Sequence, residues 1–140
     1  MLPLPAVVLT ASDYSRLEKL ARVAARQGSI DAMFLLMEID RATIVPDDTP
    51  GIESVAMVGS WVTCSANWSV PRKTVELAWP EDGTSDLDRI SVLSRLGAAL
   101  IGLRAGDQMP YFAAGYMNVV RIESVNRSEP KWPAVALRRR

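Results

Sequence analysis

Residues 89–109 read RISVLSRLGAALIGLRAGDQM, and the fold turns on how this stretch is interpreted. It carries Gly97, Gly102 and Gly106 within an apolar run. Gly97 and Gly102 have the glycine spacing of a phosphate-binding loop. That loop continues with Lys and then Ser or Thr, which hold phosphate and magnesium. Here Leu103 and Arg104 follow, so both functional groups are missing, and no G-x-G-x-x-G is present. A strand, a short helix and a turn account for more of the residues. Ile90–Leu93 is strand-like, and Ser94 is a good N-cap for a helix at about 95–101. Leu96, Ala99, Leu100 and Leu103 line one face of that helix. Gly102 suits the left-handed residue that ends it, with Leu103 as the apolar contact beyond. Gly106-Asp107 is a turn into the next extended segment. Gly97 sits inside the helix at a cost of up to about 1 kcal/mol relative to Ala, which suggests close backbone packing.

Upstream the periodicity is helical. Ala6–Leu9 is a short strand or an apolar strap on the core. Thr10 and Asp13 have capping-box spacing ahead of a helix over about 12–26, with Leu17, Leu20, Ala21 and Ala24 on one stripe. Gly28 and Ser29 end that helix and cap a second, over about 30–44. Ile30, Met33, Phe34 and Met37 form its stripe, with Leu35, Ile39 and Ala42 beside it. So short a turn makes an antiparallel hairpin about 22 Å long. Its wide apolar face either pairs with a second copy or lies on the rest of the molecule. PDDTPG at 46–51 is a boundary. Beyond it the periodicity changes: residues 54–65 are mixed apolar and β-prone, while Lys73–Trp79 and Tyr116–Val125 alternate as strands do. These patterns divide the chain into a strap and hairpin (1–46), a β-rich domain with one short helix (47–126) and a tail (127–140).

Composition narrows the chemistry. The chain has 140 residues, 16 basic and 16 acidic, and 49% of it is hydrophobic. Balanced charge gives no general attraction to nucleic acid. There is no histidine, which removes the commonest general base and metal ligand. Cys64 is alone, so it forms no internal disulfide, and without a histidine to activate it an inert thiol is expected. No run approaches the roughly 18 apolar residues of a membrane span, and the start lacks a signal-peptide pattern. A soluble cytoplasmic protein is expected. Glu81, Asp82, Asp86 and Asp88 read as a solvated loop, because no glycine-anchored calcium pattern is present. Trp61 and Trp79 read as sheet residues and Trp68 as part of a hairpin loop. Arg138, Arg139 and Arg140 read as a solvated end.

Several blocks together carry a family resemblance. VLTASDYSRLEKLA (8–21), EIDRATIVP (38–46), MVGSWV (57–62), VELAWPED (75–82) and residues 89–109 occur in the order found in bacterial Gre transcript-cleavage factors. They resemble the related Rnk proteins more closely still. The resemblance implies an α+β fold: a helical coiled-coil hairpin followed by an FKBP-like antiparallel sheet packed on one short helix. It also implies RNA polymerase as the partner, with the β-rich domain docked at the rim of its secondary channel. The docking segment falls on Ser91, Leu93, Ser94, Arg95 and Leu96. Gre hairpins present acidic tip residues that hold a catalytic magnesium. Here the tip, around Ser29 and Asp31, offers one carboxylate, poor equipment for a metal held by several oxygens. Asp31 is more simply a helix-start residue that suits the helix dipole. Arg95 stands where the family has proline. The expectation is therefore a Rnk-type regulator with no catalytic residues, no metal, no cofactor, no sequence-specific nucleic-acid binding and no membrane. A Gre-type cleavage factor using Asp31 is the alternative. An FKBP-like prolyl isomerase comes third, given only 6% aromatic residues.

Overall fold

Residues 4–67, 72–82 and 88–130 are described by the computed structural model of the chain. Trp68, Asp86 and the arginines at 138–140 lie outside the described residues. The elements run β1 (Val8–Thr10), α1 (Ala11–Arg26), α2 (Ile30–Asp40), β2 (Thr43–Val45), β3 (Trp61–Ala66), β4 (Lys73–Ala78), β5 (Arg89–Ser91), α3 (Arg95–Leu100), β6 (Gln108–Ala113) and β7 (Tyr116–Asn126).

Local chemistry starts the helices where the sequence places them. The Thr10 hydroxyl accepts from the Asp13 N–H at 3.3 Å, Ser29 from Ala32 at 3.0 Å and Ser94 from Gly97 at 3.1 Å. Each pairing satisfies one of the first-turn donors that a helix leaves open. Gly28, in the left-handed region at φ +92°, makes the turn of the hairpin.

The second helix stops at Asp40, short of the predicted 44. Thr43, Ile44 and Val45 leave it to pair in parallel with Val8, Leu9 and Thr10. These β-branched residues lose less in a strand than in a helix, and the partner strand is already in place. The 6–9 segment is both strand and strap, since Val8 N–H also donates to the Gly102 carbonyl at 3.0 Å.

Five strands form the main sheet in the order β5-β4-β3-β7-β6. All neighbours are antiparallel except β4 and β5, which run parallel. Val62, Cys64, Val75, Leu77, Val120 and Ile122 point from the sheet into the core. Ala98, Ala99 and Leu100 of α3 meet them, and so do Leu17 and Ala21 of α1 and Leu35 and Ile39 of α2. The hairpin and the sheet thus share one hydrophobic core. The hairpin lies on the molecule instead of standing away from it.

That packing corrects the expected face of α2. Leu35 and Ile39 are buried, while Ile30, Met33 and Met37 of the predicted stripe are exposed. Apolar residues surround this helix, so periodicity alone gives it no unique inner face. Glu38 also turns inward and is 5% exposed. It pairs with Arg41 at 2.7 Å, and Arg41 reaches the Pro5 carbonyl at 2.6 Å.

Candidate docking site

The β5–α3 junction is built from two serines and a tight approach. Ser91 carbonyl accepts from both the Ser94 N–H at 3.0 Å and the Ser94 hydroxyl at 2.6 Å. Ser91 hydroxyl accepts from the Leu93 N–H at 3.0 Å. Gly97 closes the corner: a Cβ there would stand 2.1 Å from the Ser91 carbonyl oxygen. Its predicted close packing is therefore against this junction. Gly102, at φ +83°, ends α3, and a Cβ there would meet Val7 Cγ1 at 2.5 Å. Leu93 and Leu96 are half-buried against the core, each with a side left to solvent.

Arg95 carries the least expected geometry. Its Nε and Nη2 both approach Asp31 Oδ1 at 2.8 Å. The guanidinium lies 5.4 Å from the centre of the Phe34 ring. Nη1 donates to the Phe112 carbonyl on β6. The arginine that stands in the family's proline position is a clamp, 19% exposed, joining α2, α3 and β6. Two positions singled out separately in the sequence, the tip acid Asp31 and the junction residue Arg95, are brought together here. Ser29 is at the same end of α2 but serves as its cap. Phe34 and Phe112 are the partners that sequence reasoning missed. Phe34 had been assigned to a helix stripe, and Phe112 gave no signal because its backbone oxygen is what takes part.

No group of three or more His, Cys, Asp or Glu residues suited to a metal occurs among the described residues. Glu81 of the acidic loop pairs with Arg16, whose guanidinium sits 4.0 Å over the Trp79 ring. Burial pushes the Cys64 thiol up to about 11, so at neutral pH it stays protonated and unreactive. Burial also raises the Asp13 carboxyl, partly offset by a hydrogen bond from the Val58 N–H. No helix among the described residues is long and apolar enough to cross a membrane.

Comparison with known proteins matches this layout along its length. Residues 5–45 fit the Rnk N-terminus family model, and residues 52–127 fit the C-terminal domain of the transcription elongation factors GreA/GreB. The regulator of nucleoside diphosphate kinase from Escherichia coli is 28% identical over 124 residues, 85% of this chain and 90% of that protein. The Shigella flexneri protein of the same name matches equally. A GreA/GreB elongation factor from Nitrosomonas europaea superposes with a TM-score of 0.68 at 27% identity, over 87% of this chain and 98% of that one. With its β-rich region matched over more than half of the chain and its hairpin matched separately, this protein belongs to the GreA/GreB C-terminal-domain family and carries an N-terminus of the Rnk type.

Proposed function

We propose that this chain is an RNA polymerase-binding transcription regulator of Rnk type. It docks at the secondary-channel rim through Ser91, Leu93, Ser94, Arg95 and Leu96, and it does not cleave transcripts. The serines hold the junction in shape, and the exposed sides of Leu93 and Leu96 supply apolar contact. Arg95 supports that surface from beneath by tying α3 to the hairpin. The partner is a protein surface and not nucleic acid, in keeping with a formal net charge of zero. The protein works in the cytoplasm, where polymerase is found.

The observation that carries the reading is the Asp31–Arg95 pair at 2.8 Å. The lone acid of the hairpin tip is already neutralised by a neighbour, and the hairpin rests on the β-rich region. A short, blunt hairpin of this kind blocks or gates the channel mouth without delivering carboxylates to the active centre. It would also compete with cleavage factors for the same rim. The assay uses stalled, backtracked elongation complexes with magnesium. Addition of the chain leaves transcript length unchanged, and so does the Arg95→Ala variant, because a freed Asp31 remains a single carboxylate. Shortened transcripts with the unaltered chain would overturn the reading in favour of a cleavage factor.

A further inference from the structure

The main sheet has two outer edges, and the chain treats them differently. β5 closes one edge with three residues, and its Arg89 pairs with Glu76 at 3.2 Å. A strand so short and charged offers little to a further strand. β6 closes the other edge with six residues, QMPYFA, and residues 108–120 hold no charged side chain. Phe112 and Met117 face each other across β6 and β7 and are 52% and 60% exposed. Long, uncharged, aromatic edges of this kind are the ones that pair with other chains.

The register shows which backbone groups of β6 point outward. Ala114 and Gly115, at φ +56° and +86°, form a two-residue turn closed by Ala113 and Tyr116. The closing pair exchanges hydrogen bonds, and so does every second pair after it. Tyr111 and Met109 therefore bond to β7, while Gln108, Pro110 and Phe112 direct their backbone groups away from it. Val119, opposite Pro110, accordingly turns its N–H to Asn67 on the far side, at 2.8 Å. Two of the three outward positions on β6 are obstructed. Pro110 has no N–H to offer. The Phe112 carbonyl accepts from Arg95 Nη1. Arg95 is fixed there by Asp31 at 2.8 Å and by the Phe34 ring at 5.4 Å.

We propose that Arg95 guards the β6 edge: while its guanidinium is in place the edge takes no further strand, and without it a second copy pairs there, β6 against β6. The guanidinium occupies the acceptor that an added strand needs and sets a charge on an otherwise uncharged edge. A second copy is the partner that the sequence selects, because two identical uncharged strands meet with no like charges opposed. Pro110 confines the pairing to the turn half of β6, so the contact is short. β5 carries its own charge, whereas β6 receives one from α3. The inference does not rest on the polymerase reading, and its readouts contain no polymerase.

Sedimentation of the full chain across the micromolar to millimolar range tests it, with the parent set beside Arg95→Ala and Arg95→Met. Arg95→Met keeps the aliphatic stem and drops the donors, so it serves where Arg95→Ala folds poorly. Both variants associate more tightly than the parent, by roughly tenfold or more. Amide exchange over 108–113 slows in the associated species. Pro110→Val added to Arg95→Ala strengthens association further, since it restores the missing donor. Phe112→Lys added to Arg95→Ala reverses it, because identical edges then oppose like charges. Leu17→Ala is the control: it destabilises through the core, where Leu17 is fully buried, and leaves the edge as it is. Compared at equal folded fraction, it associates no more than the parent. Arg95→Ala and Arg95→Met that stay monomeric overturn the proposal. So does slowed exchange that falls outside 108–113, association that persists with Phe112→Lys, or equal association by Leu17→Ala.

Discussion

Gly97→Ala sets two effects against each other. Alanine is the best helix former, and in an exposed helix the change would stabilise by up to about 1 kcal/mol. Here the added Cβ stands 2.1 Å from the Ser91 carbonyl oxygen, 3.0 Å from Ser91 C and 3.0 Å from the Ser94 hydroxyl. A comfortable separation is above 3.4 Å, so α3 must shift by about 1 Å or the junction must open. Neither response is local. Ser91 is held by two hydrogen bonds from Ser94, and Ala98, Ala99 and Leu100 are fully packed in the core. Overpacking of this kind costs typically about 1–3 kcal/mol, and the clash with rigid backbone places it at the upper end. After the propensity gain is set against it, a net loss of about 2 kcal/mol remains. For a domain of this size that lowers the melting temperature by about 7 °C. Urea titration followed by circular dichroism measures the change. A variant equal to or more stable than the parent, with an unchanged slope, would refute the close approach and with it the account of the junction.

Arg95→Ala removes the clamp. The half-exposed Asp31 limits the ion pair to under about 1 kcal/mol, and the aromatic and carbonyl contacts bring the total to about 1–3 kcal/mol. Hydrogen exchange then speeds up at residues 29–35 more than at β3, and equal acceleration at both would contradict a local clamp. Asp13→Asn keeps an oxygen to accept from the Val58 N–H at 3.3 Å while discarding the charge. Since burial raises the folded pKa of Asp13, its ionised form destabilises the fold above that pKa. The variant is therefore more stable at pH 7, and the gain fades as pH falls through the raised folded pKa and is gone below the unfolded value; urea midpoints from pH 7 to 3 check the direction. Cys64, with its thiol pushed up to about 11 and buried, reacts with Ellman's reagent at pH 7.5 only as the chain unfolds. Rapid labelling of the folded protein would show that the thiol is accessible.

The helix starts were readable because capping is a matter of three or four consecutive residues. Thr10, Ser29 and Ser94 each satisfy a donor within one turn of themselves, and Gly102 ends α3 as its spacing implied. The alternation along β4 and β7 separates two faces of each strand, and the fold buries the one with Val75 and Leu77 and the one with Val120 and Ile122. What escaped reading is non-local. The end of α2 depends on β1, which lies 35 residues earlier in the register Val8 to Thr43. The inner face of α2 was not encoded by its own pattern, because apolar residues surround it. β6 read only as an extended segment, since Pro110 interrupts its pattern; proline is tolerated there because β6 is an edge strand. β5 gave no sign that it would pair parallel to β4. The candidate site was half legible: its residues were named, but Arg95 and Asp31 are 64 positions apart and meet only once the hairpin is laid on the sheet.

Retention of core RNA polymerase on the immobilised full-length chain at low salt tests the central claim most directly. The account predicts retention by the unaltered protein and loss on Leu93→Glu with Leu96→Glu in a variant that keeps its fold. Absence of polymerase from the unaltered chain, or undiminished retention by that variant, would contradict it.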